Sequence, residues 1–458
     1  MNNKNSRLEE FINSPKKSLW KLSIPMMLGM SVQAIYMLID TAFIGNWVGW
    51  EALTGIGVVF PLLFIIMGIT FGLGTGATTL IAQSIGADNK KKADSLAEHT
   101  IILGVILSIL FLLFGYYYGD SILVIQGANN LSLSYANDYF YTMLIGTPFM
   151  ILGIFFRSIL SGEGDTLLPM KILGFGTILN ILLDPIFIYF YSVKGAALAT
   201  VISQLLVFII FMYFIIIKDH AYISFNLKKF TINKKYLLEI FKIGIPAALS
   251  MVIMSGGIFF YNTILSQTST PNTAIAAYAT AHRIEHLFFI PLISIATSMV
   301  TLIGMFYGAK KHELIRIVVL YCIKCSLFIS VLFGLIFYFF GENIFPIFIN
   351  NNKNILLANN VINIGISYFR VFAFAVPFIT IGMICSRVIQ GLGKSYPMFI
   401  ITCLRVIVIS CSLAYYFIVI KEKPVEYAWI SILISCILSS IISTIWMLIE
   451  IRKAQLKI

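Results

Sequence analysis

Two carboxylates, Asp40 and Asp184, stand inside stretches of sequence that are otherwise almost wholly apolar. Asn180 precedes Asp184 on the same stretch, and Thr200 lies in the next one. An acid in the middle of a membrane-spanning helix costs about 2.5–3.5 kcal/mol on insertion scales, so such residues mark functional sites. Carboxylate, amide and hydroxyl oxygens are the ligands that a hard cation prefers. The residue types therefore predict a site for Na⁺ or, since two nearby acids can share one proton, for H⁺.

The spacing around Asp184 adds to this set of oxygens. Asn180 and Asp184 are one helical turn apart and lie on one face of a helix. Pro185 follows and has no N–H, so the carbonyl of Ile181 is expected to lose its helical partner. The amide, the carboxylate and the freed carbonyl then present oxygen to the same region.

The elements that position these residues must be membrane-spanning helices. The chain has 458 residues, of which 59% are hydrophobic and 11% charged, and its mean hydropathy is +0.92. A soluble domain has about 25% charged residues, so the composition indicates that a bilayer surrounds most of the chain. The net charge of +12 does not indicate a nucleic-acid partner, because the Lys and Arg residues lie in short connectors and form no basic helix face.

Windows of about 20 apolar residues predict an all-α membrane protein with twelve transmembrane helices. The predicted helices cover residues 20–46, 54–82, 94–118, 135–161, 167–191, 196–217, 237–266, 273–304, 314–340, 361–390, 396–420 and 426–450. The predicted domains are a cytoplasmic tail, an N-lobe, a cytoplasmic connector, a C-lobe and a second cytoplasmic tail, at residues 1–19, 20–217, 218–236, 237–450 and 451–458.

The distribution of Lys and Arg predicts the orientation, because cytoplasmic loops are enriched in both residues. Most of them fall on the side of the two termini, and the opposite side carries Lys194, Lys353, Lys421 and Lys423. We therefore expect both termini to be cytoplasmic and the protein to reside in the plasma (inner) membrane.

This orientation places the acids at one depth. The first helix runs outward and ends near Trp47, so Asp40 lies about 10 Å below the outer surface at 1.5 Å per residue. The fifth helix ends near Tyr191, which places Asp184 about 10 Å deep as well. Thr200, near the outer end of the sixth helix, lies at roughly 8 Å. The sequence thus predicts one cation site built by three helices.

The sequence also contains an internal repeat. "SIPMMLGM" near Pro25 resembles "GIPAALSM" near Pro246, and "IAQSIGA" resembles "IGMFYGA". Each half then has six helices, which predicts two bundles related by a pseudo-two-fold axis along the membrane normal, with a central cleft. Asp40 corresponds to Asn262 in the second half. The charge chemistry is therefore expected in the first lobe.

The second lobe carries one charged stretch, "AHRIEHLFFIP", in its eighth helix. His282 and His286 lack a third ligand for a metal, and Arg283 and Glu285 predict an internal ion pair. A structural role and a role in substrate binding or coupling both remain open. The candidates for a substrate or second-lobe polar site are Gln33, Tyr36, Tyr139, Asn262, His282, Arg283 and Glu285.

Five stretches carry a resemblance that covers nearly the whole chain. They are "QAIYMLIDTAFIGNW", "GTGATTLIAQSIGA", "RSILSGEGDTLLPM", "NILLDP" and "GAALATVISQ". The chain resembles the MATE (multidrug and toxic compound extrusion) family, nearest its DinF-like bacterial and archaeal branch. The resemblance implies efflux of cationic or amphipathic drugs in antiport with Na⁺ or H⁺. It also implies that the coupling cation is held by Asp40, Asn180, Asp184 and Thr200.

The resemblance implies no cofactor beyond the coupling ion, and a monomer whose partners are small organic cations and lipid. Acids of the NorM-like second lobe are mostly absent, and Glu285 alone is comparable. One alternative is a flippase of the same superfamily, for which Arg283, Arg370 and Arg405 are candidate ligands of a lipid-linked substrate. The sequence "GEGD" is only a weak match to a protease motif, because Asp165 is predicted to lie far from Asp40 and Asp184. No Walker A motif is present, so ATP is not the expected energy source.

Overall fold

The protein is described from a computed structural model that covers residues 7–126, 130–226, 230–349 and 355–456. All regular secondary structure in these residues is helical, which confirms the predicted all-α fold. Five loop cations used to predict the orientation lie outside the described residues, namely Lys4, Lys228, Lys229, Lys353 and Lys457.

The described residues form α-helices, some of which continue into short π- or 3₁₀-helical turns. The α-helices are α1 (Leu8–Asn13), α2 (Pro15–Trp47), α3 (Trp50–Gly86), α4 (Lys90–Ile125), α5 (Asn130–Gly162), α6 (Leu167–Met212), α7 (Lys234–Leu265), α8 (Pro271–Gly308), α9 (His312–Ile344), α10 (Ile355–Gly391), α11 (Tyr396–Cys403), α12 (Ser412–Tyr415) and α13 (Glu426–Gln455). The π-helical segments are Tyr213–Ile217, Leu404–Cys411 and Tyr416–Ile420, and a 3₁₀-helix covers Phe345–Phe348.

The helix α6 contains the boundary that was predicted between two membrane helices. Ser192 has φ 55° and ψ −136°, a conformation that interrupts the helix. Among the described residues, ten helical segments are long and apolar enough to cross a membrane, with residues 167–217 counted as one. Dividing that segment at Ser192 and adding α2 gives the twelve spans that were predicted.

The chain divides into two compact units, each with its own apolar core. The amino-terminal unit packs around residues such as Phe140 and Ile188, and the carboxy-terminal unit around Phe337, Phe369 and Trp429. The amino-terminal unit comprises Met1–Asn13, Lys21–Ala248 and Gly308–Lys310, and the carboxy-terminal unit comprises Ser14–Trp20, Leu249–Tyr307 and Lys311–Ile458.

The start of α7 packs against α3 within the amino-terminal unit. A Cβ atom added to Gly72 would lie 2.4 Å from the backbone nitrogen of Ala248. A Cβ atom on Gly244 would lie 2.7 Å from the Cα of Leu73. Small residues are typical of membrane helices whose backbones approach closely. Glycine is required at both positions because any side chain would separate the two helices.

The internal repeat is visible in equivalent helix contacts of the two units. A Cβ atom on Gly162, at the end of α5, would lie 3.0 Å from the Cβ of Ile81. A Cβ atom on Gly391, at the end of α10, would lie 2.8 Å from the Cβ of Ile303. Ile81 and Ile303 are the repeat-related positions of α3 and α8. The two halves therefore use the same close approach of helices, in agreement with the repeat predicted from the sequence.

The turn between α5 and α6 follows Gly162 and is also repeated. Gly164 has φ 83° and its counterpart Gly393 has φ 86°, a left-handed conformation that favours glycine. In the first half, the Oδ1 atom of Asp165 accepts the backbone N–H groups of Leu167 and Leu168, both at 3.1 Å. Asp165 therefore caps the start of α6.

Candidate cation site

Two helices of the amino-terminal unit carry the acids. Asp40 precedes the end of α2 at Trp47, and Asp184 precedes the break at Ser192 by about two turns. The Asp184 side chain is fully buried, with 0% exposure. Oδ1 of Asp40 and Oδ2 of Asp184 are buried and have no hydrogen-bond partner among the described residues. Each carboxylate thus keeps an oxygen for a ligand.

Asn180 and Thr200 supply the other predicted oxygens. The Nδ2 atom of Asn180 donates to Oδ1 of Asp184 at 3.2 Å, as their spacing along α6 requires. The hydroxyl of Thr200 donates to the carbonyl oxygen of Ala196 at 3.1 Å. The Oη atom of Tyr36 lies 3.2 Å from the Thr200 hydroxyl. Because the Thr200 proton is already used, Tyr36 is the donor in that contact.

The four predicted residues and two tyrosines belong to one cluster. Asp40 lies close enough for its charge to act on Asp184, and both aspartates lie close enough to act on Tyr36 and Tyr139. In the part of the chain that the structure describes, no Lys or Arg forms an ion pair with either aspartate. Asp184 is fully buried and Asp40 partly exposed, so a charged carboxylate here is unfavourable unless a positive charge or a proton accompanies it.

The composition of the cluster indicates the kind of cation. Carboxylate, amide and hydroxyl oxygens suit a hard ion such as Na⁺, whereas a transition metal favours His or Cys ligands. Within the described ranges, no group of three or more His, Cys, Asp or Glu residues is arranged to hold a metal ion. The orphaned oxygens of Asp40 and Asp184 fit Na⁺ or a proton.

Three further buried oxygens of this unit were not identified from the sequence. Asn137 Oδ1, Ser203 Oγ and Gln204 Oε1 have no hydrogen-bond partner among the residues described. Gln204 follows Thr200 by one turn, so the two lie on one face of α6. This four-residue spacing could have identified Gln204 from the sequence. Ser203 follows Thr200 by three residues and lies on the same face, whereas Asn137 gave no comparable signal, because isolated polar residues are common in membrane helices.

Other sequence candidates are described within the unit to which each belongs. Gln33 lines a different cavity of the amino-terminal unit, two turns from Asp40 along α2. Asn262 and Glu285 belong to the carboxy-terminal unit. Each has one buried oxygen, Oδ1 and Oε1 respectively, without a hydrogen-bond partner in the described part of the chain.

The predicted ion pair between Arg283 and Glu285 is wrong. Glu285 Oε2 instead lies 3.3 Å from Nδ1 of His282, while Arg283 is exposed. Residues two apart on a helix point in different directions, whereas residues three apart are neighbours. Glu285 faces the core beside Tyr278 and Tyr368, whose rings lie 6.0 Å apart.

The comparison with known protein families identifies this fold. The MatE family model matches residues 25–186 and 246–416, which is most of the chain. The chain belongs to the MatE family. Its two matched segments begin at Pro25 and Pro246, the two prolines that the internal repeat aligned.

Individual relatives agree with the MatE assignment. Over 453 residues the chain is 26% identical to the probable multidrug resistance protein NorM of Thermotoga maritima, covering 97% of this chain and 95% of the relative. Over 314 residues it is 30% identical to the multidrug export protein MepA of Staphylococcus aureus, covering 68% of this chain and 69% of the relative.

A solved structure shows the same architecture. An outward-facing multidrug resistance transporter of the MATE family matches with a TM-score of 0.91 at 30% identity, over 96% of this chain and 97% of that one. This MatE chain is therefore a multi-pass membrane transporter of an ion-coupled family and not an enzyme.

Proposed function

We propose that this protein is a secondary active exporter of cationic and amphipathic organic compounds, driven by the influx of Na⁺ or H⁺, and that it belongs to the DinF-like branch of its family. The observation that carries the proposal is that Asp40 and Asp184 each have a buried carboxylate oxygen that lacks a partner among the described residues. The names of the relatives NorM and MepA support export of drugs rather than movement of a lipid-linked sugar.

The coupling ion is proposed to bind at the unpaired oxygens of the two aspartates. Na⁺ would be held by oxygens of Asp40, Asn180, Asp184 and Thr200, and H⁺ would be shared by the two acids. Either ion removes charge that is otherwise buried in an apolar bundle. The hydrogen bond from Tyr36 to Thr200 joins α2 to the second half of α6 at this point. Cation binding therefore changes the balance of forces that sets the shape of α2.

Transport follows if the two ligands favour different states of the protein. With the site open to the outside, a cation binds, the acids are neutralised, and α2 bends or straightens so that drug is released. The cation then leaves on the cytoplasmic side and another drug molecule binds. A ligand shifts a conformational equilibrium only by its difference in affinity between the states, so cation and drug must prefer opposite states. Both termini are placed on the cytoplasmic side in this scheme.

Transport into vesicles tests the proposal and separates the two ions. Protein in proteoliposomes is given ethidium with a Na⁺ gradient alone or a proton gradient alone. We expect one gradient to drive ethidium transport, and Asp40→Asn and Asp184→Asn to abolish it at unchanged protein content. Asp138→Asn is the matched control, because Asp138 is an exposed acid of the same unit. Ethidium transport by either buried-acid variant at the wild-type rate would overturn the proposal.

A further inference from the structure

The connector predicted at residues 218–236 is held by side chains of α4 and of the turn after α5. It leads from the π-helical end of α6 into α7, which begins at Lys234. Four of its backbone N–H groups donate to side chains of the same unit, namely Ile223 to Glu163 at 3.2 Å, Ser224 to Asp94 at 2.9 Å, Asn226 to Glu98 at 2.7 Å and Asn233 to His99 at 2.8 Å. All four acceptors are titratable groups, so the attachment of the connector depends on pH.

His99 is the acceptor nearest the start of α7. Asn233 is the N-cap of this helix, because its Oδ1 atom accepts the N–H of Lys235 at 3.0 Å. The centroid of the His99 ring lies 4.8 Å from that of Phe230 and 5.7 Å from that of Tyr236. His99 itself is 1% exposed. One buried histidine of α4 therefore contacts the N-cap and an aromatic ring on either side of it.

The hydrogen bonds of His99 permit only the neutral ring. Its Nδ1 atom lies 2.7 Å from the carbonyl oxygen of Ser95, which can only accept, so Nδ1 carries a proton. Its Nε2 atom lies 2.8 Å from the backbone nitrogen of Asn233, whose N–H can only donate, so Nε2 carries none. A second proton on the ring would change Nε2 from an acceptor into a donor. The N–H of Asn233 would then lose its partner.

The charged groups on the elements around His99 are bound to other partners or exposed. They are Asp94 and Glu98 of α4 and Glu163 after α5, which accept N–H groups of the connector, Lys92 and Glu239, which pair at 2.9 Å, His220, which binds Asp165 at 3.1 Å, and the exposed Lys234 and Lys235. Within the described residues, no ion pair joins His99 to a carboxylate. A protonated ring would therefore be a buried charge without an anion, which is unfavourable unless the segment opens to water.

We propose that His99 is a pH-sensitive latch of the connector. The neutral ring holds Asn233 and the start of α7 on α4, and protonation releases them. Histidine gains and loses its charge between about pH 5 and 8, so the latch responds within the range of pH that a cell experiences. The segment that it holds begins α7, a helix that contributes residues up to Ala248 to the amino-terminal unit and those from Leu249 to the carboxy-terminal unit. The proposal goes beyond ion-coupled export and does not depend on which ion drives it.

Hydrogen–deuterium exchange of the full-length protein tests the latch. The protein in phosphatidylcholine nanodiscs is exchanged at about pH 5 and about pH 8, the limits of histidine titration, and peptides from residues 230–240 are followed by mass spectrometry. Each rate is divided by the rate of an unstructured peptide at the same pH, which leaves only the change in protection. We expect the wild type to lose protection by roughly two- to tenfold at the lower pH, which corresponds to one neutral hydrogen bond. Equal protection at the two pH values would overturn the proposal.

Variants of His99 separate the hydrogen bond from the packing of the ring. His99→Gln is expected to hold the segment at both pH values, because its amide oxygen can accept in place of Nε2 and does not titrate. His99→Phe keeps an aromatic ring but has no acceptor, so its protection should be low at both pH values. A pH response in His99→Gln as large as that of the wild type would rule His99 out. If His99→Phe does not fold, the comparison of the wild type with His99→Gln still decides.

Two controls address the other titratable groups that hold the connector. His220→Gln is the matched control, because His220 is the histidine at the opposite end of the connector. Glu163→Gln removes the ionisation of the carboxylate that accepts the N–H of Ile223. Both variants are expected to keep the pH response at the start of α7. Loss of that response in either of them would assign the response to a group other than His99 and contradict the proposal.

Discussion

The side-chain amide of Asn180 donates to one carboxylate oxygen of Asp184 at 3.2 Å, while the other oxygen stays buried with no partner among the described residues. A hydrogen bond to a charged group contributes about 1.5–3 kcal/mol, and about 1.4 kcal/mol corresponds to a tenfold change in binding. We therefore expect Asn180→Ala to raise the ion concentration for half-maximal export by about ten- to a hundredfold. Asn363→Ala, at an exposed amide of the carboxy-terminal unit, should leave that concentration unchanged.

The contact of Tyr36 with Thr200 predicts a smaller effect. Tyr36→Phe removes one neutral hydrogen bond, which contributes about 0.5–1.5 kcal/mol, and should weaken ion-dependent export by roughly two- to tenfold. Thr200→Val removes an oxygen of the site itself and should have the larger effect. Tyr116→Phe, at a 70% exposed ring, is the control. A Tyr36→Phe protein with wild-type ion dependence would show that this hydrogen bond does not support the site.

Asp165 is expected to stabilise the amino-terminal unit. Its carboxylate is 2% exposed and binds both Arg7 and His220, while its other oxygen caps α6. These hydrogen bonds, that of Arg7 foremost, outweigh burial and hold the pKa of Asp165 below its usual value. Asp165→Asn should lower the free energy of unfolding by about 2–3 kcal/mol.

The exposed ion pair of Glu342 with Arg370, at 2.7 Å, provides the comparison for Asp165. An exposed pair contributes about 0–1 kcal/mol, so Glu342→Gln should change stability little. Thermal unfolding in detergent measures both variants. An equal loss of stability in the two would contradict the role assigned to Asp165.

Glu163 predicts a pH dependence of stability. Burial raises the pKa of this carboxyl to about 8, although it accepts the N–H of Ile223 and lies near Arg7. Its folded pKa therefore exceeds its unfolded pKa, so its contribution to stability is fully present below about pH 4.5 and is lost as the pH rises toward about 8. Glu163→Gln mimics the protonated form and should remove this loss.

The melting temperature over that pH range measures the effect of Glu163. The wild type is expected to lose stability between about pH 4.5 and 8, and Glu163→Gln to lose less over the same interval. Glu9→Gln, at an exposed acid of the same unit, is the control for a general effect of removing a carboxylate. Parallel melting curves of wild type and Glu163→Gln would refute the prediction.

The sequence by itself determined the features that depend on local spacing. An apolar run of about 20 residues is long enough to cross a bilayer, so the membrane helices could be located before any packing was known. The four-residue spacing of Asn180 and Asp184 fixed their hydrogen bond, because the helix alone makes them neighbours. The internal repeat aligned Asp40 with Asn262, which showed that the acid is present in the first half of the chain and absent from the second. The ion pair predicted between Arg283 and Glu285 was wrong, because residues two apart on a helix point in different directions.

Only the tertiary structure decided which distant residues meet. Tyr36 and Thr200 form their contact from separate helices, and Asp165 binds Arg7 and His220, which are 158 and 55 residues away. Helical periodicity gives the face on which a residue lies but not the helix that this face will contact.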